Sequence, residues 1–340
     1  MTVKLGLVGF GLGGRYFHAP FITAARGIEL AGIVARSPQR ISEAHQDFPD
    51  VPVFPSLREM VGHVDAVTIT TPPATRRSLV MEAISHGLHV VADKPFAPDL
   101  DGAQELIAAA ENAAVLLGVY QNRRFDADIR TLRSVLPRVG RVWRAESHFD
   151  LDGADTLEAG PDGGLLRDMG AHVVDQMVWL FGPAERVYAH LDHVDRPEGR
   201  TDASFVIDIS HRSGVFSTVS SSKVNHLDAR RLRVFGSEGS YVSDGTDVQA
   251  QALFAGRRPA DDTANWGYEA PERWGTLRTS AGVEAIPSLQ GAYQDYYSTF
   301  AAAVKGEGTQ PVPATEALDT IAILTAARES ASSGRAITLG

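Results

Sequence analysis

Residues 3–14 read VKLGLVGFGLGG, an apolar run that passes directly into a glycine-rich turn. The run 3–9 predicts a fully buried strand, and the pattern from Arg15 to Arg26 predicts a helix. The glycines between them fit G-x-G-x-x-G, in the strand-to-helix context that a dinucleotide site requires. A glycine-rich turn without a ligand is the alternative.

Each glycine of this turn has a distinct expected role. Gly9 permits a tight turn, Gly11 lets the backbone approach a diphosphate, and Gly14 lets helix and strand pack closely. The helix N-terminus then faces the anion. The predicted cofactor-binding residues of the turn are Gly9, Phe10, Gly11, Leu12, Gly13 and Gly14.

Short apolar strands alternate with amphipathic helices through the first ~120 residues, which predicts a doubly wound parallel sheet covered on both faces. Ligands bind such sheets at the carboxyl ends of the strands. The predicted strands are 3–9, 29–35, 64–71, 89–92 and 115–120, and the predicted helices are 15–26, 39–48, 75–86 and 100–112.

The pattern changes after Asn122, where alternating strands follow one another without helices between them. This predicts an α+β domain with an open, mostly antiparallel sheet. We therefore expect a Rossmann domain at 1–122 and a substrate-binding and oligomerisation domain at 123–340. Residues 254–288 are expected to form an ordered surface loop that packs Trp266 and Trp274. The predicted strands here are 142–149, 186–192, 204–211, 215–222 and 230–235, and the predicted helices are 126–136, 165–181, 293–304 and 314–332.

Composition excludes several classes of protein. The 340 residues contain no cysteine, so disulfides, thiol nucleophiles and cysteine-ligated metals are excluded. The net charge of −10 argues against nucleic-acid and acidic-membrane partners. The N-terminal residues lack a leader pattern, and no apolar run is long enough for a membrane span, so a cytoplasmic location is expected.

The end of the second strand indicates which nicotinamide cofactor binds. NAD sites carry an acid there for the ribose 2′-hydroxyl, whereas a 2′-phosphate needs cations and hydroxyls. This chain has Arg36 and Ser37 there, with Arg40 one turn further on and no acid. NADP is favoured over NAD; a solvated basic turn is the alternative.

Two further segments carry candidate catalytic residues. Asp93-Lys94-Pro95 follows the strand at 89–92, where a lysine can stabilise charge on a substrate oxygen. Asp168 and His172 stand at i and i+4 of a predicted helix, so their side chains share a face. The histidine can accept an alcohol proton. A structural Asp–His hydrogen bond is the commoner meaning of such a pair, and a metal site lacks a third ligand.

Together these motifs resemble the Gfo/Idh/MocA oxidoreductases over almost the whole chain, in particular a branch with NADP-dependent scyllo-inositol dehydrogenases. Segments that share this resemblance are 17–20, 121–126, 146–150, 236–241 and 266–271. The resemblance implies that Lys94, Asp168 and His172 are the catalytic lysine, aspartate and histidine. It also implies that the cofactor contacts Thr71, Pro72, Asp93, Lys94, Asn122 and Arg123.

Three positions depart from the family pattern. Asp93 stands where the family usually has glutamate, and Arg76 where many relatives have histidine, a change expected to affect packing. Residues 151–155 replace an arginine and aromatic run in a loop that borders the substrate, so the substrate is not determined.

The sequence thus predicts an NADP(H)-dependent oxidoreductase that transfers hydride between nicotinamide and a polyol, inositol or sugar-like substrate. The alternatives are a non-catalytic NADP-binding sensor and an imine, biliverdin-like or halogenated-substrate reductase. Strands 204–222 alternate apolar and hydroxyl residues, so a homodimer or homotetramer through this sheet is expected.

Overall fold

The computed structural model describes residues 1–158, 160 and 163–340, which form two compact units. The first unit comprises Met1–Asn122, Gln249–Trp266 and Ala292–Ala317. The second comprises Arg123–Val248, Gly267–Gly291 and Leu318–Gly340. Two segments beyond residue 122 therefore belong with the N-terminal part of the chain, which the sequence did not indicate.

The first unit contains a six-stranded parallel sheet with the strand order β3-β2-β1-β4-β5-β6, the doubly wound order of dinucleotide-binding folds. This confirms the predicted fold class. The strand at 89–92 was predicted with the same bounds. The strands are β1 (Val3–Val8), β2 (Ile28–Val34), β3 (Val53–Phe54), β4 (Ala66–Ile69), β5 (His89–Ala92) and β6 (Leu117–Val119).

Helices up to residue 112 connect these strands, and two further helices come from the later segments of the unit. The first begins with a π-helical turn, Gly13–His18, which continues into α1 (Ala19–Ala24), while the helix at 100–112 was predicted with the same bounds. The others are α2 (Pro38–Asp47), α3 (Leu57–Met60), α4 (Pro73–Ser85), α5 (Leu100–Asn112), α8 (Val248–Phe254) and α9 (Gln294–Val304).

The core of the first unit lies in the parallel strands, where Leu5, Leu7, Val67 and Val90 are fully buried. Because all six strands run the same way, the residues that follow them lie along one edge of the sheet. Gly9, Arg36, Thr71 and Asp93 come just after β1, β2, β4 and β5. The fold thus brings most of the predicted cofactor residues to one edge.

The second unit contains a nine-stranded sheet in which only β7 and β10 pair in parallel; all other neighbours are antiparallel. This confirms the predicted open, mostly antiparallel sheet. Its order is β14-β13-β12-β11-β7-β10-β9-β8-β15. The strands are β7 (Val142–Asp150), β8 (Ala184–Arg196), β9 (Gly199–His211), β10 (Phe216–Ser222), β11 (Ala229–Gly236), β12 (Gly239–Gly245), β13 (Gly275–Thr279), β14 (Gly282–Ile286) and β15 (Ile337–Thr338).

Helices cover one face of this sheet. They are α6 (Ala127–Val139), which packs on β11 and β12, α7 (Ala171–Phe181), which packs on β10, and α10 (Ala317–Ser333). A π-helical turn at Leu166–Gly170 precedes α7. On the opposite face Tyr188, Val206 and Phe216 are 47%, 43% and 40% exposed, on three neighbouring strands.

The prediction of a loop without regular structure at 254–288 is wrong for residues 275–286, which form the hairpin β13–β14 at the edge of the sheet. The edge strand β14 is exposed at four of its five positions, so no alternation of apolar and polar residues marks it. Trp266 is buried as expected, and Trp274 is half-buried, its indole N–H donating to the Glu269 carbonyl at 3.2 Å.

Within the described residues, no helix has the length and apolar character needed to cross a membrane.

Candidate active site

The glycine turn after β1 is shaped by two close backbone approaches. Gly9 adopts φ = +105°, a conformation that side chains strongly disfavour. A Cβ atom added to Gly14 would lie 2.2 Å from the Gly9 carbonyl oxygen. Thr70 Oγ1 donates to the same carbonyl at 2.8 Å. Packing within the turn therefore requires glycine at both positions.

Gly11 differs from these two glycines because no neighbour among the described residues requires glycine there. A Cβ added at Gly11 would meet nothing within 4 Å, and the adjacent Leu12 is 61% exposed. The backbone of the turn is thus open to a ligand at this point. Phe10 instead is 2% exposed and packs edge-on against Phe48, so only its backbone can face a ligand.

The basic residues after β2 differ in how far their charges are already compensated. Arg36 is exposed and forms no ion pair with the described residues. Ser37 Oγ accepts from the backbone N–H of Arg40 at 3.3 Å, which caps α2. The Arg40 guanidinium donates to Glu43 at 2.6 Å. Of the two arginines predicted to bind the 2′-phosphate, Arg40 is paired with Glu43, whereas Arg36 forms no ion pair within the described residues.

Among the buried side-chain oxygen atoms of the first unit without a hydrogen-bond partner in the described residues, two follow the carboxyl ends of parallel strands: Thr71 Oγ1 and Gln121 Oε1. Buried polar atoms normally find a partner, so each indicates a ligand or a water molecule. Thr71 was predicted to contact a cofactor, whereas Gln121 was not. Pro72, beside Thr71, is exposed at the start of α4.

Asp93 lies at the end of β5 within a set of donors from its own unit. Its Oδ1 accepts from the backbone N–H of Lys94 at 2.8 Å and lies 3.6 Å from His18 Nε2. Its Oδ2 lies 3.9 Å from an Arg76 nitrogen. Burial would raise the pKa of this carboxyl, but His18, Arg76 and Lys94 together lower the pKa of Asp93 to about 2. Asp93 is therefore ionised at neutral pH.

His18 connects Asp93 to a buried hydroxyl network. It is 1% exposed, and its Nδ1 lies 2.6 Å from the Tyr297 hydroxyl, which in turn lies 3.3 Å from Thr68 Oγ1. The ring also stacks on Tyr120 with 4.1 Å between centroids. The position of Asp93 is thus fixed by residues from distant parts of the sequence.

Arg76 ties together the two turns that follow β4 and β5. Its guanidinium donates to the Thr71 carbonyl at 2.8 Å and to the Pro95 carbonyl at 2.5 Å, and the residue is 5% exposed. Arg76 was expected to affect packing only, but the structure shows that it also links the two turns by hydrogen bonds. Lys94 lies in the turn after β5, where it is half-buried and linked to Pro95 by a cis peptide bond.

Asn122 and Arg123 are both buried, but they belong to different units. The Arg123 guanidinium donates to Asp247 at 2.8 Å and lies over the Phe149 ring at 4.7 Å. These contacts within the second unit account for its charge. A contact between Arg123 and a cofactor stays a prediction.

Asp168 and His172 occupy the turn Leu166–Gly170 and the start of α7. The turn has the wider winding of a π-helix, not the regular α-helix that the i, i+4 argument assumed. His172 is 6% exposed, whereas the Asp168 side chain is 40% exposed. Lys223 Nζ lies 3.5 Å from Asp168 Oδ2. The structure thus places a buried lysine beside the predicted catalytic aspartate.

Sequence reasoning assigned no site role to His18, Lys223 or Gln121. His18 and Gln121 lie in segments that carry the family resemblance, which was the only available signal for them. Lys223 follows a strand end, where lysines are usually exposed, so nothing in the local pattern indicated its burial.

The first unit fits a dinucleotide. The open backbone at Gly11, the uncompensated Arg36 and the orphaned Thr71 and Gln121 oxygens all lie after carboxyl ends of the parallel strands. Such an edge can hold a diphosphate on backbone N–H groups and a further phosphate on a guanidinium.

Comparison with known families gives two matches. Residues 3–121 match the oxidoreductase family with an NAD-binding Rossmann fold, and residues 129–242 match the GFO/IDH/MocA C-terminal domain. Together they cover more than half of the chain.

Individual relatives match over most or all of the chain. It is 31% identical to the scyllo-inositol 2-dehydrogenase (NADP(+)) IolW of Bacillus subtilis, covering 99% of this chain and 96% of that protein. It is 30% identical to a D-apiose dehydrogenase of Paraburkholderia graminis, over 70% of this chain and 66% of that protein. The solved structure of the oxidoreductase yvaA from Bacillus subtilis superposes with a TM-score of 0.90 at 30% identity, covering 100% of this chain and 99% of that one.

These matches confirm the resemblance inferred from the motifs and the expectation of an enzyme: the chain belongs to the Gfo/Idh/MocA family of oxidoreductases.

Proposed function

We propose that the protein is an NADP(H)-dependent dehydrogenase that acts on a CH–OH group of a polyol, inositol or sugar-like substrate. The observation that carries the proposal is the edge of the parallel sheet, where the open turn at Gly11 is followed by the uncompensated guanidinium of Arg36. The absence of an acid at the end of β2 favours a 2′-phosphate, and hence NADP over NAD. The relative IolW is described as NADP(+)-dependent, which supports this choice.

In this proposal bound NADP supplies the hydride acceptor for alcohol oxidation, and three side chains act on the substrate. His172 accepts the hydroxyl proton as general base, and returns it when the reaction runs towards the alcohol. Lys94 donates a hydrogen bond to the reacting oxygen and stabilises its developing negative charge. Asp168 accepts a hydrogen bond from a neighbouring hydroxyl. The names of the inositol and apiose dehydrogenases support a polyhydroxylated substrate.

Cofactor preference is tested by titrating the protein with NADPH and NADH while following nicotinamide fluorescence. We expect NADPH to bind at least tenfold more tightly. Arg36→Ala should weaken NADPH binding about 10- to 100-fold, because one charge-assisted contact to phosphate is lost, and leave NADH within twofold. Arg26→Ala is the matched control, since Arg26 is exposed before the opposite end of β2. Tighter binding of NADH would contradict the NADP assignment.

Turnover is tested by screening polyols, inositols and aldoses for absorbance at the reduced nicotinamide band. We expect activity with a member of this panel, and its loss in Lys94→Met and His172→Ala. Tight NADPH binding without any turnover, together with a stable protein partner, would instead support a cofactor-binding sensor.

We also infer a cytoplasmic homo-oligomer. Tyr188, Val206 and Phe216 expose apolar surface on three adjacent strands, and a second copy is the partner that symmetry favours for such a face. Size-exclusion chromatography with light scattering should show a dimer or tetramer. A monomer at micromolar concentration would contradict this inference.

A further inference from the structure

Lys223 is a buried lysine that the mechanism above does not use. It directly follows β10, where its backbone N–H donates to the Ala203 carbonyl of β9 at 3.0 Å. Its side chain is 8% exposed. Lysine is almost never buried to this extent unless its charge is paired. The buried ammonium group of Lys223 therefore needs an anionic or strongly polar partner.

The ammonium group of Lys223 has two oxygen neighbours in the described part of the chain. Nζ lies 3.5 Å from Asp168 Oδ2 and 3.4 Å from the Thr156 carbonyl oxygen. The ion pair is asymmetric, because the lysine is 8% exposed and the aspartate 40% exposed. The cation thus lies on the protein side of the pair, and the carboxylate presents the more accessible surface.

The backbone that carries Asp168 is also anchored. Leu166, at the start of the π-helical turn, donates its backbone N–H to Asp202 Oδ1 at 2.6 Å. Gly164 adopts φ = +95°, and a Cβ there would lie 2.1 Å from Asp202 Oδ2. With its backbone attached to β9 and its carboxylate facing Lys223, Asp168 has a defined orientation.

We propose that Lys223 is a positioning residue that pairs with Asp168 and directs its carboxylate towards the substrate. This inference rests on the proposed function, in which Asp168 binds a substrate hydroxyl. An ionised carboxylate accepts hydrogen bonds and donates none. The group of the substrate that meets Asp168 is therefore a donor, a hydroxyl beside the reacting carbon, and substrates without that hydroxyl are disfavoured. The buried position of Lys223 means that it acts through Asp168.

The test is a double-mutant cycle of Lys223→Met and Asp168→Asn, assayed with the best polyol substrate. Lys223→Met should lower kcat/KM about 10- to 100-fold, mainly through KM, the loss expected from one charge-assisted hydrogen bond that is present in ground and transition states alike. In the Asp168→Asn background the same change should cost less than threefold. Lys223→Arg, which keeps the charge, should retain more activity than Lys223→Met.

Lys4→Met is the matched control, since Lys4 is an exposed lysine on β1. The dissociation constant for NADPH and the circular dichroism spectrum should be unchanged in all variants. A readout that needs no lysine variant is the ratio of kcat/KM for the substrate and for its analogue deoxygenated beside the reacting carbon. We expect this ratio to be at least tenfold in the wild type and near one in Asp168→Asn.

The outcomes separate this inference from the function on which it rests. If the wild type turns over polyols but Lys223→Met keeps full kcat/KM, or the deoxy analogue is an equal substrate, the positioning role is wrong and the dehydrogenase stands. If Lys223→Met still costs tenfold in the Asp168→Asn background, Lys223 contacts the substrate directly, which overturns a role through Asp168. If the wild type binds NADPH but oxidises no polyol, the proposed function fails and the inference fails with it.

Discussion

Asp93 and Asp168 are two aspartates beside candidate site lysines, and their surroundings differ in one decisive respect. The Asp93 side chain is 19% exposed and meets His18, Arg76 and the Lys94 backbone N–H within its own unit. The Asp168 side chain is 40% exposed and faces Lys223. Because its oxygens contact groups of the protein, Asp93 stabilises the fold around the site. An acid that pairs with a buried cation and is itself 40% exposed keeps surface for a substrate.

Replacing Asp168 tests whether its carboxylate binds the substrate. Asp168→Asn should lower kcat/KM about 100-fold, or about 3 kcal/mol, because the amide is a weaker acceptor for a substrate hydroxyl. The free energy of unfolding should fall by only about 1 to 2 kcal/mol, since the amide oxygen still accepts from Lys223 although the charge of that lysine loses its anion. Steady-state kinetics and urea unfolding check both numbers. A variant with normal kinetics and reduced stability would make Asp168 structural like Asp93.

Arg76, the cation beside Asp93, is expected to contribute to stability because it links two turns. Arg76→Met should lower the free energy of unfolding by about 2 kcal/mol, because two part-buried carbonyls, those of Thr71 and Pro95, lose their donor. The neighbouring Arg77 is exposed and pairs with the exposed Glu105, so Arg77→Met should cost less than about 1 kcal/mol. Equal costs for the two variants would show that the link between the turns contributes nothing.

The ionisation of Asp93 makes its contribution to stability depend on pH. The pKa of Asp93 is lowered to about 2, so its ionised form stabilises the folded state above the unfolded value near 4. This contribution, about 2 kcal/mol, is lost as the pH falls from about 4 to below 2. Wild type should therefore be more stable than Asp93→Asn by about this amount at pH 6, and the difference should vanish near pH 2. A difference in stability that does not depend on pH would refute the assigned ionisation.

The sequence predicted the first unit better than the second because its signals are local. A buried strand such as 89–92 and a helix such as 100–112 have continuous apolar or amphipathic patterns, and both were predicted to the residue. The hairpin β13–β14 has no such pattern, since Val283 and Glu284 are both exposed at the sheet edge. It is defined by pairing with β12, which no local window can show.

The candidate site follows the same division. The glycine turn was predictable because Gly9 and Gly14, which pack against each other, are only five residues apart in sequence. The contacts of His18 with Tyr297, and of Lys223 with Asp168, join residues far apart in sequence. Residue type and spacing cannot predict such pairs, because they depend on the tertiary packing of several elements.

The first unit is assembled from three separate stretches of chain, and this has a consequence for biosynthesis. Phe21 packs against Tyr293 and Trp266, and His18 contacts Tyr297, so the N-terminal helix reaches its final environment only after those residues exist. A ribosome that has made residues 1–122 has made every strand of the six-stranded sheet, but not the aromatic residues against which Phe21 and His18 pack. The N-terminal helix of the nascent chain therefore lacks these packing partners until translation has passed residue 297.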